Sequence, residues 1–193
     1  MTAAKTDNGN RANVPDLEEC RKILADYGTP EHVIRHCEAV AHCALVIGRA
    51  LNARGYHLDL DLVQAAGLLH DVARVEQDHQ KAGASLLARL GYPDVASIIS
   101  VHMTYPAFHA VDAFDETDLV CLGDRLCKFD EYVGLEERMN YILEKFKGNE
   151  EAHRTILANK RKVAVTMQEL RERIGMSVDE LMAQHPISEE GWH

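Results

Sequence analysis

Apolar residues recur three and four positions apart along almost the whole chain, the spacing of amphipathic helices. From Pro15 onward, Leu17, Cys20, Ile23 and Leu24 share one face up to Gly28. Thr29 and Pro30 suit the N-cap and first position of a second helix. Its apolar face carries Val33, His36, Cys37, Val40, Ala41, Ala44, Leu45, Ile47, Gly48 and Leu51, and it should end near Gly55. Asp59 or Asp61 can cap a third helix through Leu62, Val63, Ala66, Leu69 and Val72, which contains the run Gly67-Leu-Leu-His-Asp-Val-Ala-Arg74. A fourth spans about residues 79–90 before Gly91, and a fifth runs from Pro93 through Val95, Ile98, Ile99 and His102. Pro, Asp and aromatic residues break the periodicity over 104–115, which reads as a loop. A sixth helix starts near Thr117 and carries Leu119, Val120, Leu122, Gly123, Leu126 and Phe129. Residues 135–147 and 150–174 give two more, and Ser177-Val-Asp-Glu180 is a capping-box signature for a short last helix. With no strand alternation and no internal repeat, the pattern predicts an all-α fold: a single-domain bundle of about eight or nine helices.

Composition narrows this picture. With 193 residues, 46% hydrophobic and 27% charged, the chain can bury one sizeable core. Residues 1–14 read as a disordered leader, 15–147 as the main domain, and 148–193 as a helical extension packed on it. The polar N-terminus lacks the apolar stretch of a secretory signal, and no apolar run reaches the roughly 18–20 residues that cross a bilayer; a cytoplasmic protein that does not engage membranes is expected. The net charge of −10 argues against nucleic-acid binding but not against a small anionic substrate. Cys20, Cys37, Cys43, Cys121 and Cys127 show no CxxC pair, so reduced, buried thiols are expected. The charged segment 150–174 is a candidate homodimer contact or partner surface.

Three features then call for chemistry. His36 lies on an apolar helix face, His70 and Asp71 are neighbours inside an apolar run, and Asp124 lies inside another. A buried carboxylate is costly unless it is paired or bound to a metal. One divalent cation could satisfy all four, as in sites built between the facing helices of bundles. Neighbours on a helix point about 100° apart, so His70 and Asp71 converge only if the helix ends or bends there, or if Asp71 bridges two ions. Taken singly, His36 could be a hydrogen-bonded core residue, and Asp124 could pair with Arg125 or Lys128.

The order His36 … His70-Asp71 … Asp124, set in "HVIRHCEAVA", "AAGLLHDVAR" and "LVCLGDRLCKFDEYVG", resembles the HD phosphohydrolase superfamily over roughly residues 29–140. The resemblance implies an HD-type helical bundle in which those four positions hold a metal. His79 and His102 resemble positions of the extended order H…HD…H…H…D, in which Asp71 would bridge two ions. The branch most similar comprises small stand-alone bacterial enzymes that cleave dinucleoside polyphosphates at a di-iron centre. Where some binuclear relatives carry a His-His pair, this chain has His102-Met103; His109 is a substitute candidate. The HD-GYP signature is absent, and no context of a ppGpp hydrolase is found.

The resemblance implies one or two divalent ions (Fe, Mn, Co, Ni, Zn or Mg) and a small phosphorylated substrate, expected to be a nucleotide or dinucleoside polyphosphate, hydrolysed by activated water. Asp71 and Arg74 are the catalytic candidates. Arg74, Lys81 and Arg125 are candidates to bind substrate phosphate, Arg offering a bidentate fork. Two alternatives stay open: a mixed-valence di-iron HD oxygenase, and a non-catalytic HD module that binds a nucleotide or partner.

Overall fold

A computed structural model of the chain describes residues 13–105 and 107–187. Residues 1–12 of the predicted leader and 188–193 of the predicted extension lie outside the described residues; Asn13 donates from Nδ2 to Gly91 O, 3.1 Å away. Nine α-helices are present among the described residues. They are α1 (Leu17–Tyr27), α2 (Glu31–Asn52), α3 (Leu60–Leu69), α4 (His79–Leu90), α5 (Pro93–Ile99), α6 (Glu116–Leu126), α7 (Gly134–Lys145), α8 (Glu150–Ile174) and α9 (Val178–Gln184). The all-α reading of the sequence therefore stands.

Helix α2 is the central element, packing against α3, α6, α8 and α9. It can do so because its apolar residues spread over more than one stripe: Ala39, Ala41 and Leu45 are buried as well as the stripe of Val40, Cys43, Ile47 and Leu51. Full burial of a residue such as Ile47 or Leu51 stabilises by roughly 1.5–3 kcal/mol. Two glycines let its neighbours come close. A Cβ on Gly67 of α3 would sit 2.7 Å from Ala41 Cα, and one on Gly123 of α6 would sit 2.8 Å from Val40 O. Gly123 adjoins Asp124 and Gly67 stands three residues before His70, so the two close approaches draw α3 and α6, with these candidate ligands, onto α2. Helices α8 and α9 add Val163, Leu170, Val178 and Met182 to the same core.

Several boundaries differ from the expected ones. Thr29 does not cap α2: Pro30 is the N-cap, and the buried Thr29 hydroxyl donates to Val72 O at 2.8 Å. Helix α2 ends at Asn52 rather than near Gly55. Asp59 does cap α3, accepting from Asp61 N and Leu62 N, but α3 stops at Leu69 rather than running through Val72. The reason is local. The His70 ring turns back and donates from Nδ1 to Gly67 O, and residues 70–76 continue as tight turns closed by Arg74 N to Asp71 O and Glu76 N to Ala73 O. Helix α5 likewise stops at Ile99, with His102 Nδ1 donating to Ile99 O. Both halves of the Ser177–Glu180 capping box are present.

The sequence pattern missed a two-stranded antiparallel hairpin, β1 (Cys127–Lys128) and β2 (Glu131–Tyr132). Phe129, expected on α6, sits at its turn with a positive φ of 54°. All five cysteines are free and buried. No helix among the described residues is long and apolar enough to cross a membrane.

Candidate metal centre

The helix ends and turns just described converge on Asp71. His36 comes from the second turn of α2, His70 and Asp71 from the turn after α3, and His79 from the first residue of α4. His102 comes from the turn after α5, and Asp124 from the last part of α6. The six side chains proposed from the sequence as metal ligands are thus brought together. Neighbouring imidazoles stand edge to face or tilted, with centroids 5.4 Å apart for His36–His70, 5.2 Å for His70–His102 and 5.4 Å for His79–His102.

Distances centre on the Asp71 carboxylate. Oδ1 lies 3.2 Å from His79 Nε2 and 3.4 Å from His102 Nε2; Oδ2 lies 3.7 Å from His70 Nε2 and 3.5 Å from Arg74 Nε. On the far side His36 Nε2 lies 3.2 Å from Asp124 Oδ1. Donor atoms of His36, His70 and Asp71 all fall within 4.8 Å of one another, and so do those of Asp71, His79 and His102. Asp71 belongs to both groups.

Three of the histidines are held in the same way. His70 Nδ1 donates to Gly67 O at 2.8 Å, His102 Nδ1 to Ile99 O at 2.7 Å, and His36 Nδ1 to Phe129 O at 2.7 Å. A backbone carbonyl can only accept, so each neutral ring carries its proton on Nδ1 and presents the Nε2 lone pair to the centre. Such outer hydrogen bonds are the usual means of orienting metal-binding imidazoles. The inward atoms of the centre, His70 Nε2, His102 Nε2 and Asp71 Oδ1, are buried without a hydrogen-bond partner. Lone pairs of nitrogen and carboxylate oxygen facing each other in a dry site repel unless a cation lies between them. The donor set, imidazole nitrogen and carboxylate oxygen, suits a divalent ion, so the residues present fit a metal.

Protonation follows from the same surroundings. Burial lowers the His70 pKa to about 4, which keeps that ring neutral at physiological pH. Burial also opposes charge on His36 and His102, but the adjacent Asp124 and Asp71 carboxylates, respectively, outweigh it and raise both rings above the ordinary histidine value. Burial would push the Asp71 carboxyl up; the surrounding His70, His102, His79 and Arg74 hold it well below the usual carboxylate range instead. Asp124 is likewise held low, burial being outweighed by His36, His70 and Arg138.

The phosphate candidates fare unequally. Arg74 borders the centre, with Nη1 3.2 Å from His79 Nε2 and its side chain half exposed. Lys81 points to solvent and pairs with Asp78 at 3.6 Å, because it lies on the outer face of α4. Arg125 lies at the rim, but Nη1 donates to Cys121 O and Nη2 to Tyr105 O. His109 does not join the centre; it binds the buried Asp118, with Nδ1 2.8 Å from Oδ2. Asp124 pairs with His36 and Arg138 rather than with Arg125 or Lys128. Arg138, not anticipated, has Nη2 3.8 Å from Asp124 Oδ1 and a buried, unpartnered Nε. Its signal was present: Leu135, Arg138, Met139 and Ile142 form one stripe of α7, and an arginine on such a stripe needs a partner.

Comparison with known proteins agrees with this geometry. The HD domain family model matches residues 33–191. Over 94 residues the chain is 35% identical to a tRNA (cytidine(56)-2'-O)-methyltransferase of Thermoplasma volcanium, covering 47% of this chain and 26% of that one. It is 36% identical over 88 residues to an uncharacterized protein of Methanocaldococcus jannaschii, covering 44% and 52%. It is 27% identical over 151 residues to a ribonuclease Y of Aquifex aeolicus, covering 72% and 26%. The chain thus spans between a quarter and about half of the length of these curated relatives. No solved structure matches. A family match across most of the chain, on a helical frame that gathers the histidines round Asp71, establishes that the chain belongs to the HD domain family, a superfamily of metal-dependent phosphohydrolases.

Proposed function

We propose that this protein hydrolyses a phosphate ester or anhydride of nucleotide size, at a centre of two divalent ions that share Asp71. The observation that carries this reading is the set of buried, unpartnered atoms His70 Nε2, His102 Nε2 and Asp71 Oδ1 converging on one point. His36, His70 and Asp124 would hold one ion and His79 and His102 the other, with Asp71 common to both. A divalent ion bound there supplies a water of lowered pKa and charge stabilisation for phosphoryl oxygens.

The chain's own groups set the rest. The three backbone carbonyls that receive the Nδ1 protons fix the imidazoles before substrate arrives, so no reorganisation is needed on binding. Arg74 stands beside Asp71 with a half-exposed fork that can grip a phosphoryl oxygen. Burial of His70, Asp71 and His102 excludes bulk water from the inner side of the site.

The test is turnover by anaerobically purified protein reconstituted with Mn²⁺ or Fe²⁺, on a panel of nucleoside mono-, di- and triphosphates, dinucleoside polyphosphates and short RNA phosphodiesters. The RNA arm is warranted by the similarity to a protein named ribonuclease Y. Asp71→Ala should abolish turnover. A metal-replete wild type that is inert on the whole panel overturns the proposal; oxygen consumption by the di-iron form would assign an oxygenase instead, and nucleotide binding without turnover a binding module.

A further inference from the structure

Resting on that reading, we propose that the substrate is a phosphomonoester with a compact, uncharged leaving group, that Arg138 holds its phosphoryl group, and that α7 and α8 form the wall against which the leaving group lies.

A cavity of about 220 Å³ opens beside the centre, with His102 and Asp124 in its lining. Its wall is apolar, contributed by Met139 and Ile142 of α7 and Ile156 and Val163 of α8. Asn159, close to one turn beyond Ile156, sits exposed at the rim, where its amide can both donate and accept. Two cations line this space, Arg125 and Arg138. The Arg125 guanidinium is committed to Cys121 O and Tyr105 O and lies over the Phe108 ring at 5.2 Å. Arg138 is different. Its Nη2 stands 3.8 Å from Asp124 Oδ1, beyond hydrogen-bond distance, and its Nε is buried without a partner. A guanidinium with unused donors beside two candidate metal ligands is arranged to take an anion, and its planar fork matches a phosphoryl group.

Charge and size then restrict that anion. Within this cavity Arg138 is the cation with free donors and serves one phosphoryl group, Arg74 standing outside it beside His79 and Asp71. In a polyphosphate lying along the cavity, the further phosphates would rest on Met139, Ile142 and Ile156, where no uncommitted donor replaces the lost water because Arg125 is held by Cys121 O and Tyr105 O, and poorly paired buried charge is strongly disfavoured. The volume falls below the roughly 300–1,000 Å³ that encloses drug-sized ligands, so it admits a leaving group no larger than a nucleoside, with Asn159 available to its polar edge. In the reaction, water adds to phosphorus and the ester P–O bond breaks. One water proton leaves on the alcohol oxygen, and the products are the free alcohol and hydrogen phosphate.

The experiment uses the Mn²⁺-loaded full chain. Inorganic phosphate and AMP are titrated by calorimetry. Hydrolysis is compared for AMP, p-nitrophenyl phosphate, ATP, diadenosine tetraphosphate and bis-p-nitrophenyl phosphate. Arg138→Gln should weaken inorganic phosphate binding by about 10- to 100-fold, the scale of a charge-assisted hydrogen-bond pair, with bound metal unchanged; Arg138→Lys should recover part of it. Ile156→Trp should leave phosphate affinity unchanged while lowering kcat/KM on AMP by about 10-fold or more, since it displaces the leaving group. Phosphate affinity unaltered in Arg138→Gln overturns the role of Arg138. A kcat/KM for ATP or diadenosine tetraphosphate above that for both monoesters overturns the substrate class. If Arg138→Gln loses its fold, the Ile156→Trp variant and the substrate order still decide. A wild type that hydrolyses no phosphate compound refutes the hydrolase reading and the substrate class, whereas turnover with phosphate affinity unaltered in Arg138→Gln refutes only the role of Arg138.

Discussion

The contact between α3 and α2 makes Gly67→Ala a sharp probe of how the fold builds the centre. A Cβ on Gly67 would lie 2.7 Å from Ala41 Cα, 2.8 Å from its Cβ and 3.2 Å from its N. Carbon atoms in contact normally stand about 3.5–4.0 Å apart, so the helices must separate by roughly 1 Å. The opposing atoms are mostly backbone and cannot rotate away. Overpacking of this kind costs about 1–3 kcal/mol, against about 1 kcal/mol returned by the better helix propensity of alanine. At about 2–4 °C per kcal/mol for a chain of this length, the net cost lowers Tm by up to roughly 8 °C in metal-free protein, read by circular dichroism with chelator present. The site should respond too, because Gly67 O is the acceptor for His70 Nδ1; weakening such an outer hydrogen bond lowers metal affinity by about 10-fold or more. Adding Ala41→Gly removes the Cβ contact but leaves those to Cα and N, so it should restore only part of the loss. A Gly67→Ala protein with unchanged Tm and unchanged metal affinity would refute the close approach and its role in aiming His70.

Further outcomes follow from other parts of the molecule. Asp118 is fully buried and accepts from Tyr105 OH, His109 N, His109 Nδ1 and Asp115 N. Asp118→Ala should cost about 2–3 kcal/mol in chemical denaturation, the scale of hydrogen bonds to a charged group, and speed amide exchange between residues 104 and 115. Metal affinity should be pH-dependent, because the raised His36 and His102 rings take up protons that the metal must displace. Affinity falls as pH drops through those raised values, by about one decade per pH unit for each competing proton. It levels off above them, and His70, with its pKa near 4, adds nothing to that slope at neutral pH. A flat titration between pH 6 and 8, on the order of the unperturbed His range, would contradict this. All five thiols are buried, and burial pushes Cys20 and Cys121 up to about 12, so iodoacetamide at mildly alkaline pH should label none of them in native protein and all five after denaturation.

Four of the candidate ligands were legible because polar residues stand out against an apolar helical pattern, as His36, His70-Asp71 and Asp124 each do, whereas His79 and His102 were reached only through the family resemblance. The ends of α3 and α5 were not. Val72 and Ala73 are fully buried although they lie in turns, so the apolar periodicity runs on past the helix and hides the break that lets His70 and Asp71 converge. The same continuity carried the expected fifth helix through His102. Strands of two residues are too short for an alternation to register, which concealed the hairpin and its use of Phe129 O to hold His36. Proximity in sequence misled for Lys81: being two residues from His79 says nothing of which side of α4 it occupies. Arg138 was passed over because it is distant in sequence from every motif residue, although its place on the apolar stripe of α7 marked it.

Metal stoichiometry tests the central claim most directly. Anaerobic titration of metal-free protein with Mn²⁺ or Fe²⁺, checked by elemental analysis, should give two ions per chain for the wild type, one for His79→Ala or His102→Ala, and none retained by Asp71→Ala. A wild type that binds one ion and keeps it when His79 or His102 is removed would contradict a shared Asp71, and retention of metal by Asp71→Ala would contradict the centre itself.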